Sequence, residues 1–274
     1  MIVATVAGSI VAVALMLPLA WKWQLGMHRV GIGLAFLAVA AVALALAVDA
    51  VVGLPLLVQA GLACAVTLGG AFAILAYRFY RDPEREPPAG DRLIVSPADG
   101  KIVYVRRSED GRLPVSTKRG SDVQLQELTR TSVHDEDSIV VGIGMSFLDV
   151  HVNRAPIAGK VSLRQHYAGR FGSLGNPEMV FENERATTVI TDQTFQIAVV
   201  QIASRLVRQI VGFVRVGQDV ELGQRIGIIR FGSQVDVVLP SRPDLRVVVT
   251  AGDRVQAGTS VIARLGEATD DGPT

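Results

Sequence analysis

Four histidines, a few carboxylates and one Gly-Ser pair set in an apolar run are the groups through which this 274-residue chain could do chemistry. The pair is Gly232-Ser233, in "GQRIGIIRFGSQVDVVLP" (223–240). Glycine inside a strand-like run marks a bulge or a place where something must approach the backbone. His151 interrupts another β-like run in "SFLDVHVNRAPIAG", and His166 follows in "RQHYAGRFGS". Each suits either a satisfied structural imidazole or a proton carrier near neutral pH. His134 sits among carboxylates in "VHDEDS". Neighbours on one loop rarely converge on one ion, so that segment reads as a solvated turn with no metal. Asp99 in "SPADGKI" fits a tight turn between strands. Glu184 and Arg185 in "NERATTV" suit a phosphate or a backbone segment equally.

Composition removes several classes. The net charge of +1 gives no bulk electrostatic case for nucleic acid. Cys64 is the only cysteine, which excludes disulfides, cysteine metal sites and a two-thiol redox centre. Lysine occurs only at Lys22, Lys101, Lys118 and Lys160, none in a context for a pyridoxal-phosphate Schiff base. The chain has no Gly-x-Gly-x-x-Gly, no Walker loop and no His-Glu-x-x-His.

The elements that must position these groups fall into two parts. Residues 2–20, 30–48 and 52–77 are apolar runs that approach or exceed the roughly 20 residues needed to cross about 30 Å of hydrocarbon. They predict an anchor of two or three helices over 1–78. Lys22 and Arg29 lie in the first connection, Asp49 in the second, and Arg78, Arg81 and Arg85 follow the third run. The positive-inside rule places the first connection and the C-terminal part on the cytoplasmic side of the inner (plasma) membrane. "RDPER" (81–85), within a linker over 79–90, reads as a juxtamembrane anchor and nothing more.

Residues 91–274 change to short β-type runs broken by Gly, Pro and Asp, including 93–105, 138–145, 187–192, 196–203 and 236–240. They predict a mainly β barrel or sandwich. Residues 106–137 read as a long loop or an extended hairpin. "VGQDVELG" (216–223) and "AGDRVQAG" (251–258) share Gly-x-x-Val-x-x-Gly, and "PADGKI" (97–102) and "PIAGKV" (156–161) share Pro-x-x-Gly-Lys. Such glycine turns are those of lipoyl- and biotinyl-carrier hairpins, where Gly supplies positive φ.

"FYRDPEREPP", "VSPADGKI", "MSFLDVHVNRAPIAGKV", "NERATTVI", "QIASRLVRQIV" and "GQRIGIIRFGSQVDVVLP" occur in that order, and the chain from about 79 to 240 resembles the short, membrane-associated phosphatidylserine decarboxylases. The resemblance implies self-cleavage between Gly232 and Ser233. Ser233 Oγ would attack the Gly232 carbonyl. Elimination would then free residues 1–232 and leave a pyruvoyl group on residues 233–274. Glycine leaves that carbonyl approachable and tolerates strain. A hydroxyl is a weak nucleophile without a base, so the resemblance assigns Asp99 with His151 or His166 to its activation. The new ketone would take the amine of phosphatidylserine, or of its archaeal ether-lipid counterpart, as a Schiff base and accept the electrons left when CO₂ departs. Longer members carry His-x-x-His where this chain has "HVNR", so His151 matches the first position and Arg154 stands at the second. A relay at the second position would leave His151 to bind substrate and His166 to supply the base. Arg154 and Arg185 are expected phosphate ligands, since a guanidinium matches phosphate geometry. The implied partners are the lipid in its membrane, the two cleaved chains and a homodimer copy. A membrane-anchored lipoyl-like carrier or adaptor is the competing reading. A carrier needs a lysine at the hairpin tip, and 217–223 and 252–258 hold none. A family member that has lost activity and serves as a membrane scaffold is the third.

Overall fold

The computed structural model describes residues 2–23, 25–90, 92–108, 112–113, 123–124, 137–169, 183–203, 209–230 and 233–266, with the side chains of 112–113, 123–124 and 233 left out. His134 and Gly232 lie outside the described residues. The chain divides into a helical unit, Met1–Arg81 with Ser146–Leu148, and a β unit formed by the rest.

The helical unit holds α1 (Ile2–Lys22), α2 (Met27–Val52) and α3 (Leu56–Tyr80). All three are long and apolar enough to cross a membrane, since even 21 residues rise about 30 Å as a helix. Small residues let α1 and α3 approach closely: a Cβ on Gly8 would fall onto the backbone of Ala60. Buried hydroxyls and an amide bond across that seam, Thr5 to Gln59 at 3.1 Å and Ser9 to Thr67 at 3.2 Å. Asp49 ends α2. Its Oδ1 accepts the Leu54 N–H at 2.9 Å and its carbonyl accepts the Gly53 N–H at 2.8 Å, so this carboxylate closes the α2–α3 turn.

The β unit contains β1 (Leu93–Val95), β2 (Gly100–Arg107), β3 (Arg112–Leu113), β4 (Val123–Gln124), β5 (Ser138–Gly144), β6 (Val152–Arg154), β7 (Gly159–Tyr167) and β8 (Arg185–Thr191). It continues with β9 (Gln196–Ala203), β10 (Gln209–Gly212), β11 (Asp219–Val220), β12 (Arg225–Arg230), β13 (Ser233–Pro240), β14 (Leu245–Val247), β15 (Arg254–Val255) and β16 (Val261–Leu265). Eight of these strands make an antiparallel sheet that curls as a half-barrel, in the order β11-β7-β8-β9-β13-β5-β2-β15. Two three-stranded sheets, β1-β16-β14 and β10-β12-β6, accompany it, and β3 pairs with β4; most of 106–137 lies outside the described residues.

Near-continuous apolar runs form the central strands because both faces of the large sheet are covered. On β13, Val235, Val237 and Leu239 join the main core with Ile210, Ile226 and Ile229 of the small sheet. Val238 turns to the other face, with Val140, Val189, Val200 and Ile202.

The two sequence echoes are paired with each other. Gly100 and Lys101 oppose Val255 and Arg254, while Gly159 and Lys160 oppose Val220 and Asp219. The outer halves of the large sheet therefore repeat one design. The four turn glycines, Gly217, Gly223, Gly252 and Gly258, all have positive φ, from 75° to 107°, as such reversals require. A Cβ on Gly100 would strike the Gly144 carbonyl, and one on Gly159 would strike that of Thr191.

Candidate active site

The bond between residues 232 and 233 lies where the chain passes from one sheet to another. Strand β12 belongs to the small sheet β10-β12-β6 and ends at Arg230. Strand β13 opens at Ser233 in the middle of the large sheet. Ladders to both neighbours seat β13: Ser233 opposes Ala203 of β9, and Gln234 opposes Ile202 of β9 and Gly144 of β5. Cleavage before Ser233 would leave the new chain end held by these ladders, so the backbone here fits a cofactor made from that serine.

His151 lies fully buried beside the exit of β12, where its carbonyl accepts the Ile229 N–H at 3.2 Å. The preceding residue is tied to Asp99, because the Val150 N–H donates to Asp99 Oδ2 at 3.3 Å. The Ala257 N–H donates to Oδ1 at 2.8 Å, and Arg85 takes both oxygens with its two terminal nitrogens. The structure therefore brings Asp99 to the His151 segment, with the carboxylate acting on the backbone there.

His166 is elsewhere in the site. It opposes Ala186 across β7–β8, and its Nε2 lies 2.8 Å from Glu184 Oε1. The Ala203 N–H donates to the Glu184 carbonyl at 2.9 Å. Ser233, Ala203 and Glu184 thus lie in one line across three neighbouring backbones, about 10 Å from first to last at ordinary strand spacing. The His166 side chain is 47% exposed and that of Glu184 only 10%, so the imidazole meets solvent while its carboxylate partner does not.

The two expected phosphate ligands are inside the protein. Arg154 donates to the Gly223 carbonyl at 3.0 Å, to Asp82 at 3.1 Å and to the Pro83 carbonyl at 3.0 Å, and burial lowers its pKa. Arg185 is 1% exposed, with its Nε on the Asn183 carbonyl at 3.3 Å. The "RDPER" segment does more than anchor. Asp82 joins Arg154 and Arg225, Glu84 joins Arg225, and Arg85 joins Asp99.

Sequence reasoning missed several polar groups. Gln201 Nε2 donates to Asn153 Oδ1 at 2.7 Å, between the large sheet and β6, and Asn153 reaches the Pro97 carbonyl at 3.4 Å. A Cβ on Gly227, opposite Asn153, would lie 3.1 Å from the Gln201 amide nitrogen. Gln201 sits inside a run read only as β-type, and its polarity there was the available signal. Tyr104, Gln234 and Asp236 form a second buried group. A groove of about 1220 Å³ lies at the other end of β8 and β9, lined by Thr191, Asp192, Phe195 and Arg242 among others, away from residue 233.

With this geometry in hand, comparisons with known proteins converge. A family model described as phosphatidylserine decarboxylase matches residues 72–263. A putative archaetidylserine decarboxylase proenzyme of Methanothermobacter thermautotrophicus is 40% identical over 195 residues, 70% of this chain and 82% of that protein. A phosphatidylserine decarboxylase proenzyme of Pelobacter propionicus is 37% identical over 224 residues, 79% of this chain and 91% of that one. Another, of Symbiobacterium thermophilum, is 39% identical over 194 residues, 70% and 80% of the two chains.

Proposed function

The chain belongs to the phosphatidylserine decarboxylase family, and on that premise we propose that it cuts itself between Gly232 and Ser233. It is a decarboxylase proenzyme for phosphatidylserine or archaetidylserine, a carboxy-lyase whose pyruvoyl group comes from a serine of its own chain. The observation that carries the assignment to Ser233 is its place as first residue of a strand laddered on both sides, directly after the crossing between sheets. The products are a long chain, 1–232, a short chain, 233–274, and ammonia, because water replaces the nitrogen of residue 233 when the ketone forms. The catalytic domain spans 91–274, and residues 1–78 form the anchor.

Once made, the pyruvoyl group supplies the electron sink for loss of CO₂ from the serine headgroup. The rest is work for this chain's own residues. Ser233 Oγ attacks the Gly232 carbonyl and needs a base. His151, buried beside the strand leading to that bond, takes this role, and Asp99 holds the backbone in front of it. His166, half exposed and paired with buried Glu184, exchanges a proton between solvent and the reacting carbon. Gln201 and Asn153, buried and hydrogen-bonded to each other, tie β9 to β6. A phosphate taken by Arg154 or Arg185 would displace the partners those side chains already hold.

Three helices long and apolar enough to cross a membrane associate the chain with its lipid substrate. The distribution of Lys22, Arg29 and Asp49 supports a cytoplasmic catalytic domain. A denaturing gel with intact-mass analysis tests the reading. Two fragments, 1–232 and 233–274, are expected, the smaller blocked at its N-terminus and trapped by borohydride in the presence of substrate. Ser233→Ala should stay uncut and inert. Release of CO₂ from the lipid by that variant would overturn the reading.

A further inference from the structure

A closed polar ring lies beside residue 233, on the sheet face opposite the main core. Tyr104 reaches it from β2, and Gln234 and Asp236 from β13. The Tyr104 hydroxyl donates to Asp236 Oδ2 at 2.8 Å. Gln234 Nε2 donates to Asp236 Oδ1 at 2.8 Å and to the Tyr104 oxygen at 2.9 Å. Asp236 is fully buried and Gln234 is 6% exposed. The surrounding positions on that face are Val140, Val200, Ile202 and Val238. Apolar side chains would pack there without the cost of desolvating a carboxylate. Neither the cleavage nor the decarboxylation described above uses the ring.

Its position gives it a task. Gln234 is the residue directly after Ser233, so one peptide unit joins the carbonyl of 233 to the N–H of 234. Self-cleavage would turn residue 233 from an internal residue into a chain end paired on one side only, to Ala203, and strand ends fray. Gln234 is then the first residue that can be held by its side chain, and the ring holds it twice. The amide at 233–234 also adjoins the new ketone, and it shares in accepting electrons only while the two carbonyls keep a fixed mutual orientation.

We propose that the Tyr104–Gln234–Asp236 ring is the positioning element of residue 233, fixing the 233–234 peptide unit during self-cleavage and afterwards. This rests on the assignment of the cofactor to Ser233. The ring closes when Asp236 is ionised, because both its neighbours donate to it. A proton on the carboxylate would meet the donor of Gln234 or Tyr104 and open the ring. Among the described residues, four groups face this carboxylate: Tyr104 and Arg106 from β2, Arg185 from β8 and Gln234 from its own strand. Burial outweighs them and pushes the Asp236 pKa up to about 6.

The test uses the full chain in lipid–detergent micelles, with Tyr104→Phe and Asp236→Asn. Self-cleavage is followed on a gel, and kcat and KM are measured against pH per cleaved chain. Tyr104→Phe should slow precursor cleavage about tenfold and lower kcat about tenfold, with KM within about twofold, as expected for misplacement of a reacting group. The wild-type acid limb should lie near pH 6. It should move to higher pH in Tyr104→Phe, which removes a hydrogen bond to the carboxylate, and vanish in Asp236→Asn. Wild-type cleavage rate and pH profile in Tyr104→Phe would overturn the proposal, and that variant decides alone should Asp236→Asn not fold. Failure of the underlying assignment looks different, because only it would let Ser233→Ala cut itself.

Discussion

Arg85 holds Asp99 as a fork on a fork, Nη1 to Oδ1 at 2.5 Å and Nη2 to Oδ2 at 2.9 Å, with both side chains about 10% exposed. The same carboxylate takes the N–H groups of Val150 and Ala257, so it binds the segment before His151 to the turn before β16. Removing one partner of such a pair leaves a buried charge uncompensated, which costs about 3–5 kcal/mol. Arg85→Ala should therefore lower the unfolding midpoint and leave much of the precursor uncut on a gel. Arg85→Lys, which keeps the charge but loses the fork, should fall between it and the wild type.

Arg154 and Arg225 share Asp82 but differ in depth: the Arg154 side chain is 4% exposed and that of Arg225 34%. The hydrogen bonds that Arg225 donates to Glu84 and Asp82 raise its pKa, while burial lowers that of Arg154. Arg225→Ala should cost no more than about 1 kcal/mol, as half-solvated pairs do. Arg154→Ala should be strongly destabilising, because Asp82 and the Gly223 and Pro83 carbonyls lose a shared donor. An Arg154→Ala protein with a wild-type unfolding midpoint and a raised KM for lipid would instead make this guanidinium a phosphate ligand.

Much of the fold was legible because the β unit advertises its strands locally. The run 196–203 is β9 to the residue, and 138–145 is β5 plus one. The two pairs of echoes mark the repeated outer halves of the large sheet, and the two copies differ at one polar position. Asp99 in "PADGK" faces Arg85, whereas the matching position in "PIAGK" is Ala158. The polar ring was not legible. Tyr104 and Asp236 are 132 residues apart, and each looks like an ordinary break in an apolar strand. The partners of Asp82 and Arg85 were hidden for the same reason: β-topology brings Arg225 and Asp99 to them from 143 and 14 residues away. Local patterning fixes which way a side chain faces; only the sheet order decides what it meets.

His166 and Glu184 offer a separable function. Their contact ties β7 to the residue just before β8, and of the two the imidazole is the one open to solvent. Glu184→Gln keeps the shape but removes the carboxylate charge 2.8 Å from the imidazole. If the pair returns a proton to the reacting carbon, kcat should fall by about 10²-fold or more, with self-cleavage on the gel unchanged. Loss of cleavage in that variant would move the pair to the maturation step.

The raised pKa of Asp236 also has to appear in stability, and the uncut Ser233→Ala chain shows it without any contribution from the cofactor. Burial lifts this acid from 3.8 to about 6, so between those values the folded chain binds a proton that the unfolded chain has released. That proton stabilises the fold. The contribution is complete below the unfolded value, declines as pH rises through the folded one, and is gone above it. The total is on the order of 3 kcal/mol. Asp236→Asn in the same Ser233→Ala background removes the titration and leaves every other carboxylate in place. The Ser233→Ala chain should therefore lose stability relative to its Asp236→Asn partner as pH rises from 4 to about 6.5, and the difference should then stay flat to pH 8. Parallel stability curves across that range would mean that Asp236 titrates as an ordinary carboxylate, with a pKa little different in the folded and unfolded chain.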